Sequence, residues 1–124
     1  MIDILVFPPS GQAERKQDLG GIKENMQKYL KEVEYVEHLK LRYSVVNGVS
    51  TLYSIWMDEM GACRSNQVLN EHFKKRKIYG TVFACKYEFK DVIDENGEED
   101  EIQVAMPLLD IDIPLIKFLV ANSC

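Results

Sequence analysis

Residues 39–57 read LKLRYSVVNGVSTLYSIWM and contain the clearest structural signal in the chain. Before Asn47, apolar and polar residues alternate with the period of a half-buried β-strand. Asn-Gly between two β-patterned runs favours a two-residue type I′ turn, since both central residues of that turn need a positive φ. The sequence therefore predicts a hairpin with its turn at Asn47-Gly48 and its return strand over residues 49–57.

The two strands of this hairpin differ in their predicted burial. The first carries one apolar face, formed by Val33, Tyr35, Leu39, Leu41, Tyr43 and Val45. The return strand is apolar on both faces, with Leu52 and Trp56 on one side and Tyr53 on the other. A strand of that kind is typical of the centre of a sheet and needs a cover on each face. We therefore expect a helix on one face and a further layer or a second copy on the other.

The remaining elements follow from periodicity and turn residues. Residues 2–7 form an apolar run and predict a strand, whereas residues 10–21 are polar and predict an exposed loop. Residues 19–33 have the spacing of an amphipathic helix, residues 78–90 and 102–106 predict strands, and Asp112 is expected to cap a final helix. The predicted order is β-α-β-β-β-β-α. The fold class is α+β, with a mostly antiparallel sheet of about five strands and two helices.

The composition is that of one globular domain. The chain has 124 residues, of which 46% are hydrophobic and 28% charged. This size predicts a single domain over residues 1–124, and a wholly disordered protein would contain fewer apolar residues. The formal net charge is −5, which argues against broad nonspecific nucleic-acid binding, because such binding needs a basic surface.

The cysteines and the N-terminal apolar run exclude several further classes of protein. Cys63, Cys85 and Cys124 form no Cys-x-x-Cys pair, so we expect no disulfide framework, no zinc site and no cofactor. Cys85 lies in an apolar run and is expected to be buried. The N-terminal run lacks the basic lead of a signal peptide, and no apolar run approaches the roughly 18 residues of a membrane span. We therefore expect a cytoplasmic protein with no membrane partner.

Several short motifs follow one another in a characteristic order. They are Met26-x-x-Tyr29-Leu30, Asp58-Glu59-Met60-Gly61, Asn66-x-x-Leu69 and Ile78-x-Gly80-Thr81. Together, over roughly residues 1–90, they resemble a family of small domains of unknown function from phages, plasmids and conjugative elements, chiefly of Firmicutes. The resemblance implies an accessory protein of a mobile element and supplies no catalytic residues.

The candidate binding surface lies in residues 64–77, where positive charge concentrates in an acidic chain. Its predicted binding residues carry cations or hydrogen-bond donors that suit a phosphate or an acidic partner: Arg64, Asn66, Asn70, His72, Lys74, Lys75, Arg76 and Lys77. A structural alternative stays open. Lysines also protect exposed strand edges, and asparagine side chains often hold loops together.

Two other segments could carry an interaction. Gly20-Gly21 precedes a predicted helix and could hold an anion on free N–H groups, although a simple connector explains it as well. Residues 91–101 contain seven acidic residues and no basic one, and they predict an acidic hairpin loop. Such a loop could imitate a phosphate backbone, or it could be a solvated tip.

Catalysis is not expected. Neither His38 nor His72 has a motif partner, and His38 falls on the predicted polar face of its strand, where a plain surface histidine is expected. A hydrolase or nuclease normally shows acids, histidines and a nucleophile in a known order.

These observations lead to one expected function with alternatives. We expect a non-enzymatic binding protein of a phage or mobile element that inhibits a host defence protein in the host cytoplasm. A second hypothesis is sequestration of a small nucleotide-like signal in a pocket between protomers by Arg64, Asn66 and the basic loop, and an enzyme is the third. The two apolar faces of the return strand predict a homo-oligomer.

Overall fold

A computed structural model describes residues 2–18, 21–30, 36–58 and 68–124. In chain order, the strands and helices are β1 (Ile2–Phe7), β2 (Glu14–Asp18), α1 (Ile22–Tyr29), β3 (Val36–Val46), β4 (Val49–Asp58), β5 (Val82–Ile93), β6 (Glu99–Met106) and α2 (Asp112–Ala121). Every strand pair in this sheet is antiparallel. The α+β class with a mostly antiparallel sheet is therefore confirmed, and the described residues form a sheet of six strands rather than about five.

Strand β5 organises the sheet because it is long enough to take two partners along one edge. The strand order is β2-β1-β5-β4-β3, and β6 also pairs with β5. The start of β5 pairs with residues 5–7 of β1, and the rest of it pairs with β6. Strand β4 lies along its other edge.

The hairpin between β3 and β4 turns at Asn47-Gly48, as predicted. Asn47 has a φ of 52° and Gly48 a φ of 77°, which is the pair of left-handed conformations that a type I′ turn requires. Val46 and Val49 are paired directly across the turn. The prediction is confirmed because the turn chemistry is local and both flanking strands have partners.

The predicted single apolar face of β3 is wrong in its second half. A bulge between Lys40 and Arg42 shifts the register of pairing with β4. Leu39 is opposite Ile55, whereas Tyr43 is opposite Leu52, and these two partners belong to cores on different faces of the sheet. An extra residue in one strand reverses the alternation beyond it, so Tyr43 and Leu39 point to opposite sides.

Two hydrophobic cores lie on the two faces of the sheet. The core under α2 contains Leu5, Phe7, Tyr53, Ile55, Met57, Phe73, Ile78, Val82, Ala84, Leu108, Ile116 and Val120. The other contains Ile2, Ile4, Val6, Leu30, Leu52, Phe83, Cys85 and Tyr87. Leu30 directly follows α1, so the buried half of β4 lies between two cores formed within the chain. Of the two covers expected for its second face, a further layer or a second copy, the chain supplies the first, and the homo-oligomer stays a prediction.

Cys85 is buried in the second core, as the sequence predicted. Burial raises the pKa of its thiol to about 12, because a thiolate loses its hydration there. The thiol therefore stays protonated at neutral pH and serves as a small apolar side chain.

Residues 10–21 are not one exposed loop, because β2 lies within them and pairs with β1. Strand β2 is charged and polar throughout, with the sequence ERKQD. Charged residues of this kind protect an exposed sheet edge from pairing with another chain. They give no apolar alternation from which to predict a strand. The N–H of Gly21 donates to a carboxylate oxygen of Glu24 at 3.0 Å, which favours the simple connector over an anion site at this glycine, and Gly20 lies outside the described residues. Helix α1 is shorter than the predicted 19–33.

The acidic segment 91–101 is mostly strand. Strands β5 and β6 pair as far as Ile93 and Glu99, which leaves a short turn. Asp94 closes this turn, because its carboxylate accepts the N–H groups of Asn96 and Glu98, each at 2.9 Å. The charged side chains project from the surface while the backbone pairs, so charge alone did not prevent strand formation.

Asp112 is the first residue of α2 and not its N-cap. Ile111 holds the cap position, without a side-chain capping bond. The carboxylate of Asp112 is instead buried against the sheet.

Ile78 is buried before β5 begins, and β5 starts at Val82 rather than at the predicted residue 78.

Among the described residues, no helix is long and apolar enough to cross a membrane. The predicted site residues Arg64 and Asn66 lie outside the described residues, as do Cys63 and most of the Asp58-Glu59-Met60-Gly61 motif.

Candidate binding groove

A groove runs between the turn after β1, the loop formed by residues 70–77 and the second half of α2. It is open to solvent and has a volume of ≈ 580 Å³. Its walls combine apolar, polar and charged groups, contributed by Phe7, Gly11, Gln12, Ala13, Glu71, His72, Lys74, Lys117 and Ala121. Two residues of the predicted basic surface, His72 and Lys74, are thus brought to a concave site.

Asn70 holds the loop in place and is fully buried. Its amide nitrogen donates to the carbonyl oxygens of Phe7 at 3.1 Å and Gly80 at 2.9 Å. Its amide oxygen accepts the N–H of His72 at 3.0 Å. Because these bonds occupy both ends of its amide, Asn70 holds the loop that forms a wall of the groove. This is the structural alternative that the sequence left open for this asparagine.

His72 forms part of the inner wall of the groove. Its ring meets that of Phe7 edge-on, with 5.1 Å between the ring centroids. Its Nε2 atom is buried and has no hydrogen-bond partner among the residues that the structure describes. A buried polar atom without a hydrogen-bond partner lowers the free energy of unfolding, so this nitrogen is an exception that needs an explanation.

The wall formed by the turn after β1 is hydrogen-bonded to the loop through Glu71. The Glu71 N–H donates to the carbonyl oxygen of Pro9 at 2.8 Å, and a Glu71 carboxylate oxygen accepts the N–H of Gly11 at 2.9 Å. Gly11 has a φ of 93°, a conformation that glycine adopts at little cost. These bonds hold the turn after β1 against the loop and leave the groove open between them.

Two cations face this groove from different parts of the chain. The ammonium group of Lys74 donates to the carbonyl oxygen of Glu71 at 2.7 Å, which holds it close to the loop. Lys117 is exposed on α2. The backbone N–H of Lys74 bonds to the carbonyl oxygen of Ala121 at 3.4 Å and so links the loop to the end of α2. The groove therefore has a cation on each of two walls and one carboxylate, that of Glu71, which keeps its negative charge while it accepts the Gly11 N–H.

The other predicted cations lie outside the groove. Arg76 donates to the carbonyl oxygen of Cys124 at 3.5 Å, and Lys75 and Lys77 are exposed. Sequence reasoning missed Gln12, Glu71 and Lys117. No sequence signal indicates Lys117, because it is a lone cation in an apolar helix that reaches the loop only through tertiary packing.

A histidine–serine pair lies on the other face of the sheet. The distance between His38 Nε2 and Ser54 Oγ is 2.6 Å. The His38 ring stacks on Trp56, with 3.8 Å between centroids and 3° between planes. The expectation of a plain surface histidine is therefore wrong. Burial, and then the nearby charge of Lys40, lowers the pKa of His38.

This pair has the atoms of a nucleophilic dyad but not its access to substrate. Ser54 is fully buried, whereas a nucleophile must reach the reacting atom. Trp56 and Tyr87 extend the cluster through a 3.1 Å hydrogen bond from the indole N–H to the phenolic oxygen. The arrangement fixes β3 against β4 and β5, and it provides a polar element in that core. Among the described residues, no group of three or more histidine, cysteine or acidic side chains could hold a metal ion.

No protein-family model, curated protein or solved structure matches this chain. What this chain binds is therefore inferred from the geometry and charge of the groove.

Proposed function

We propose that this chain is a non-enzymatic binding protein whose groove receives an anionic group of a partner. The observation that carries the proposal is the placement of Lys74 and Lys117 on one open groove in a chain of net charge −5. Positive charge placed against the sign of the whole molecule attracts anions locally, within a Debye length of about 8 Å at physiological salt.

An acidic segment of a partner protein is the occupant that the groove fits best. The groove is open rather than enclosed, and its walls include Phe7 and Ala13 as well as the two lysines. An extended segment could place a carboxylate between the lysines and an apolar side chain against the alanine. As the identity of this partner we propose a host defence protein, which a protein of a mobile element would inhibit in the host cytoplasm.

A small nucleotide-like ligand is the second candidate. The groove volume of ≈ 580 Å³ lies within the roughly 300–1,000 Å³ of small-molecule sites. The side chain of Gln12 provides an amide for a base edge, and the lysines provide cations for phosphate. Arg64 and Asn66, which the sequence predicted as contacts of such a ligand, lie outside the described residues.

The test compares two charge reversals of equal size. Lys74→Glu with Lys117→Glu changes the groove, and Lys75→Glu with Lys77→Glu changes the same net charge outside it. The probes are a fluorescein-labelled glutamate-rich decapeptide, ATP and inorganic phosphate, with affinity measured by anisotropy or calorimetry at low salt. If each lysine makes a charged hydrogen bond, the groove variant should bind its probe roughly 10- to 100-fold more weakly.

The control variant should bind within about threefold of the wild type, because it lacks only the diffuse attraction of two exposed charges. Equal losses in both variants would show that charge, and not the groove, binds the probe. If neither the peptide nor the phosphates bind, the proposal is wrong. Preference for ATP over the peptide would favour the small-ligand candidate.

The acidic hairpin offers a competing surface and a second control. Replacing Glu98, Glu99 and Asp100 by glutamine or asparagine should leave probe binding intact, since these residues do not line the groove. A partner captured from host lysate by the wild type should be lost with the groove variant and kept with this one. The reverse result would indicate that the hairpin imitates a phosphate backbone and that the groove is not the binding site.

A further inference from the structure

Strand β6 has an outer edge that no other strand of the described residues covers. Strands β1 and β6 pair with successive parts of one edge of β5, and β2 then covers β1. Strand β2 ends at Asp18, opposite Ile2 at the start of β1, and does not reach β6. Beside β6 the sheet therefore ends one strand earlier than it ends beside β1.

The hydrogen bonds of the β5–β6 hairpin show which backbone groups point to that edge. Asp94 donates its N–H to the carbonyl oxygen of Glu98 at 2.9 Å, so the backbone of Glu98 faces the β5 side, and the direction alternates along an antiparallel strand. The residues of β6 whose N–H and C=O groups face away from β5 are Glu99, Glu101, Gln103 and Ala105. The Glu101 N–H agrees with this phase, because it donates to a carboxylate oxygen of Asp100 at 2.8 Å.

This edge lacks the features that protect the other outer strands of the sheet. Strand β2 is five residues long and contains Arg15 and Lys16, and β3 contains Lys40, Arg42 and a bulge. Strand β6 has eight residues in unbroken register with β5, and its sequence EDEIQVAM contains no lysine, arginine or proline. Short length, lysine, proline and bulges discourage edge pairing. The charges along β6 are all acidic, so they repel a second acidic strand and attract a basic one.

We propose that β6 receives an extended basic segment of a partner protein as an additional antiparallel strand. The outward N–H and C=O groups of β6 supply the affinity of such strand addition, and alternate side chains supply its specificity. Glu99 and Glu101 share one face of the sheet, so lysine or arginine at two positions of the segment, separated by one residue, lies beside these carboxylates. Ile102, 42% exposed on the other face, contacts an apolar residue of the same segment.

The proposed strand addition does not depend on the proposed function of the groove. The two surfaces share no residue among those described, and they attract opposite charges. Lys74→Glu with Lys117→Glu should abolish binding of the acidic probe and leave binding of a basic peptide to β6 intact. Failure of one proposal is therefore distinguishable from failure of the other.

The first test removes backbone pairing and keeps every charge. Gln103→Pro deletes an N–H that faces away from β5, and proline is accepted at such positions of edge strands. The probe is a fluorescein-labelled octapeptide that alternates lysine and valine, and anisotropy at low salt measures its affinity. We expect Gln103→Pro to weaken binding at least about tenfold, because it removes a backbone donor and crowds the incoming strand. Gln103→Thr keeps the N–H and should bind within about threefold of the wild type.

A second probe makes the result independent of how well Gln103→Pro folds. A backbone N-methylated copy of the octapeptide carries the same charge but donates no backbone hydrogen bonds. The wild type should bind this copy at least about tenfold more weakly than the unmodified octapeptide. Equal affinity for the two peptides would overturn the proposal, because charge alone would then explain the attraction. A wild type that does not bind the unmodified octapeptide would overturn it as well.

The third test asks whether the acidic residues of the strand itself select the basic segment. Glu99→Gln with Glu101→Gln removes two charges from β6, and Glu95→Gln with Glu98→Gln removes two charges from the neighbouring turn. Because opposite charges paired across strands stabilise each other modestly, the first variant should weaken octapeptide binding roughly three- to tenfold. The turn variant should change it by less than about twofold. Equal losses in the two variants would show that the segment does not pair with β6.

Discussion

The hydroxyl of Tyr53 donates a 2.6 Å hydrogen bond to a carboxylate oxygen of Asp112 and so ties β4 to α2. Asp112 also accepts the ammonium group of Lys86 at 3.0 Å and the N–H of Leu109 at 2.7 Å. Burial opposes the charged carboxylate, but these donors outweigh it and lower the pKa of Asp112. Burial and the same contact raise the pKa of Tyr53. Helix α2, which forms one wall of the groove, is positioned by this buried anion.

Removal of the Tyr53 hydroxyl should destabilise the fold. We expect Tyr53→Phe to lower the free energy of unfolding by about 1.5–3 kcal/mol, because the lost bond joins a buried donor to a charged acceptor. Urea unfolding followed by circular dichroism measures the change. Tyr43→Phe is the matched control, since Tyr43 is 58% exposed, and it should change stability by less than about 0.5 kcal/mol. Equal effects of the two substitutions would contradict the assigned role.

Stability should fall in acid through Asp3 and Asp112. Burial opposes the charge of Asp3, but hydrogen bonds from Arg15, Leu108 and Gln17 leave its pKa below the ordinary value of 3.8, as occurs at Asp112. The unfolded state then binds more protons than the folded state, so the contribution to stability is present above about pH 4 and is lost as the pH falls through the folded pKa.

The measurement is the free energy of unfolding between pH 7 and pH 2. Asp112→Asn should start less stable and fall less steeply below pH 4, because one group that gains a proton on acid unfolding is gone. A variant profile parallel to that of the wild type would show that Asp112 does not contribute to the acid dependence.

Gly48 should tolerate no side chain without loss of stability. Its φ is +77°, and no atom lies within 4 Å of an added Cβ, so the cost of Gly48→Ala is backbone strain alone. We expect a loss of about 1–2 kcal/mol. Asn47→Gly is the control and should stay within about 0.5 kcal/mol, since glycine adopts a φ of 52° without strain. A neutral Gly48→Ala would contradict the type I′ turn.

Asn70 should matter for stability rather than for ligand contact. Asn70→Ala removes the hydrogen bonds to two carbonyl oxygens and the acceptor of the His72 N–H, so we expect the free energy of unfolding to fall by about 3 kcal/mol or more. Asn122→Ala is a matched control, because its single bond to Phe118 is exposed, and it should cost less than about 1 kcal/mol. Thermal unfolding of the two variants gives the comparison.

Several features were predictable because their chemistry is local. Asn47-Gly48 specifies its own turn, and an apolar run around Cys85 specifies a buried strand, whatever surrounds them. The bulge after Lys40 was not predictable, since the alternation of Leu39, Leu41, Tyr43 and Val45 is unbroken in the sequence and favours a regular strand. Strand β2 was missed for a related reason: its pairing depends on backbone hydrogen bonds with β1, which its charged side chains do not reveal.

The groove belongs to tertiary structure alone. The sequence shows a cluster of cations in residues 74–77, but of these four residues only Lys74 lines the groove. The side chain of Asn70 bonds to the backbone around its own loop. Lys117 joins Lys74 because Ile116 and Val120 bury one side of α2 and Asp112 anchors its start to Tyr53. Turn and strand signals are set by neighbours along the chain, whereas a site between distant segments depends on which apolar faces pack together and at what angle.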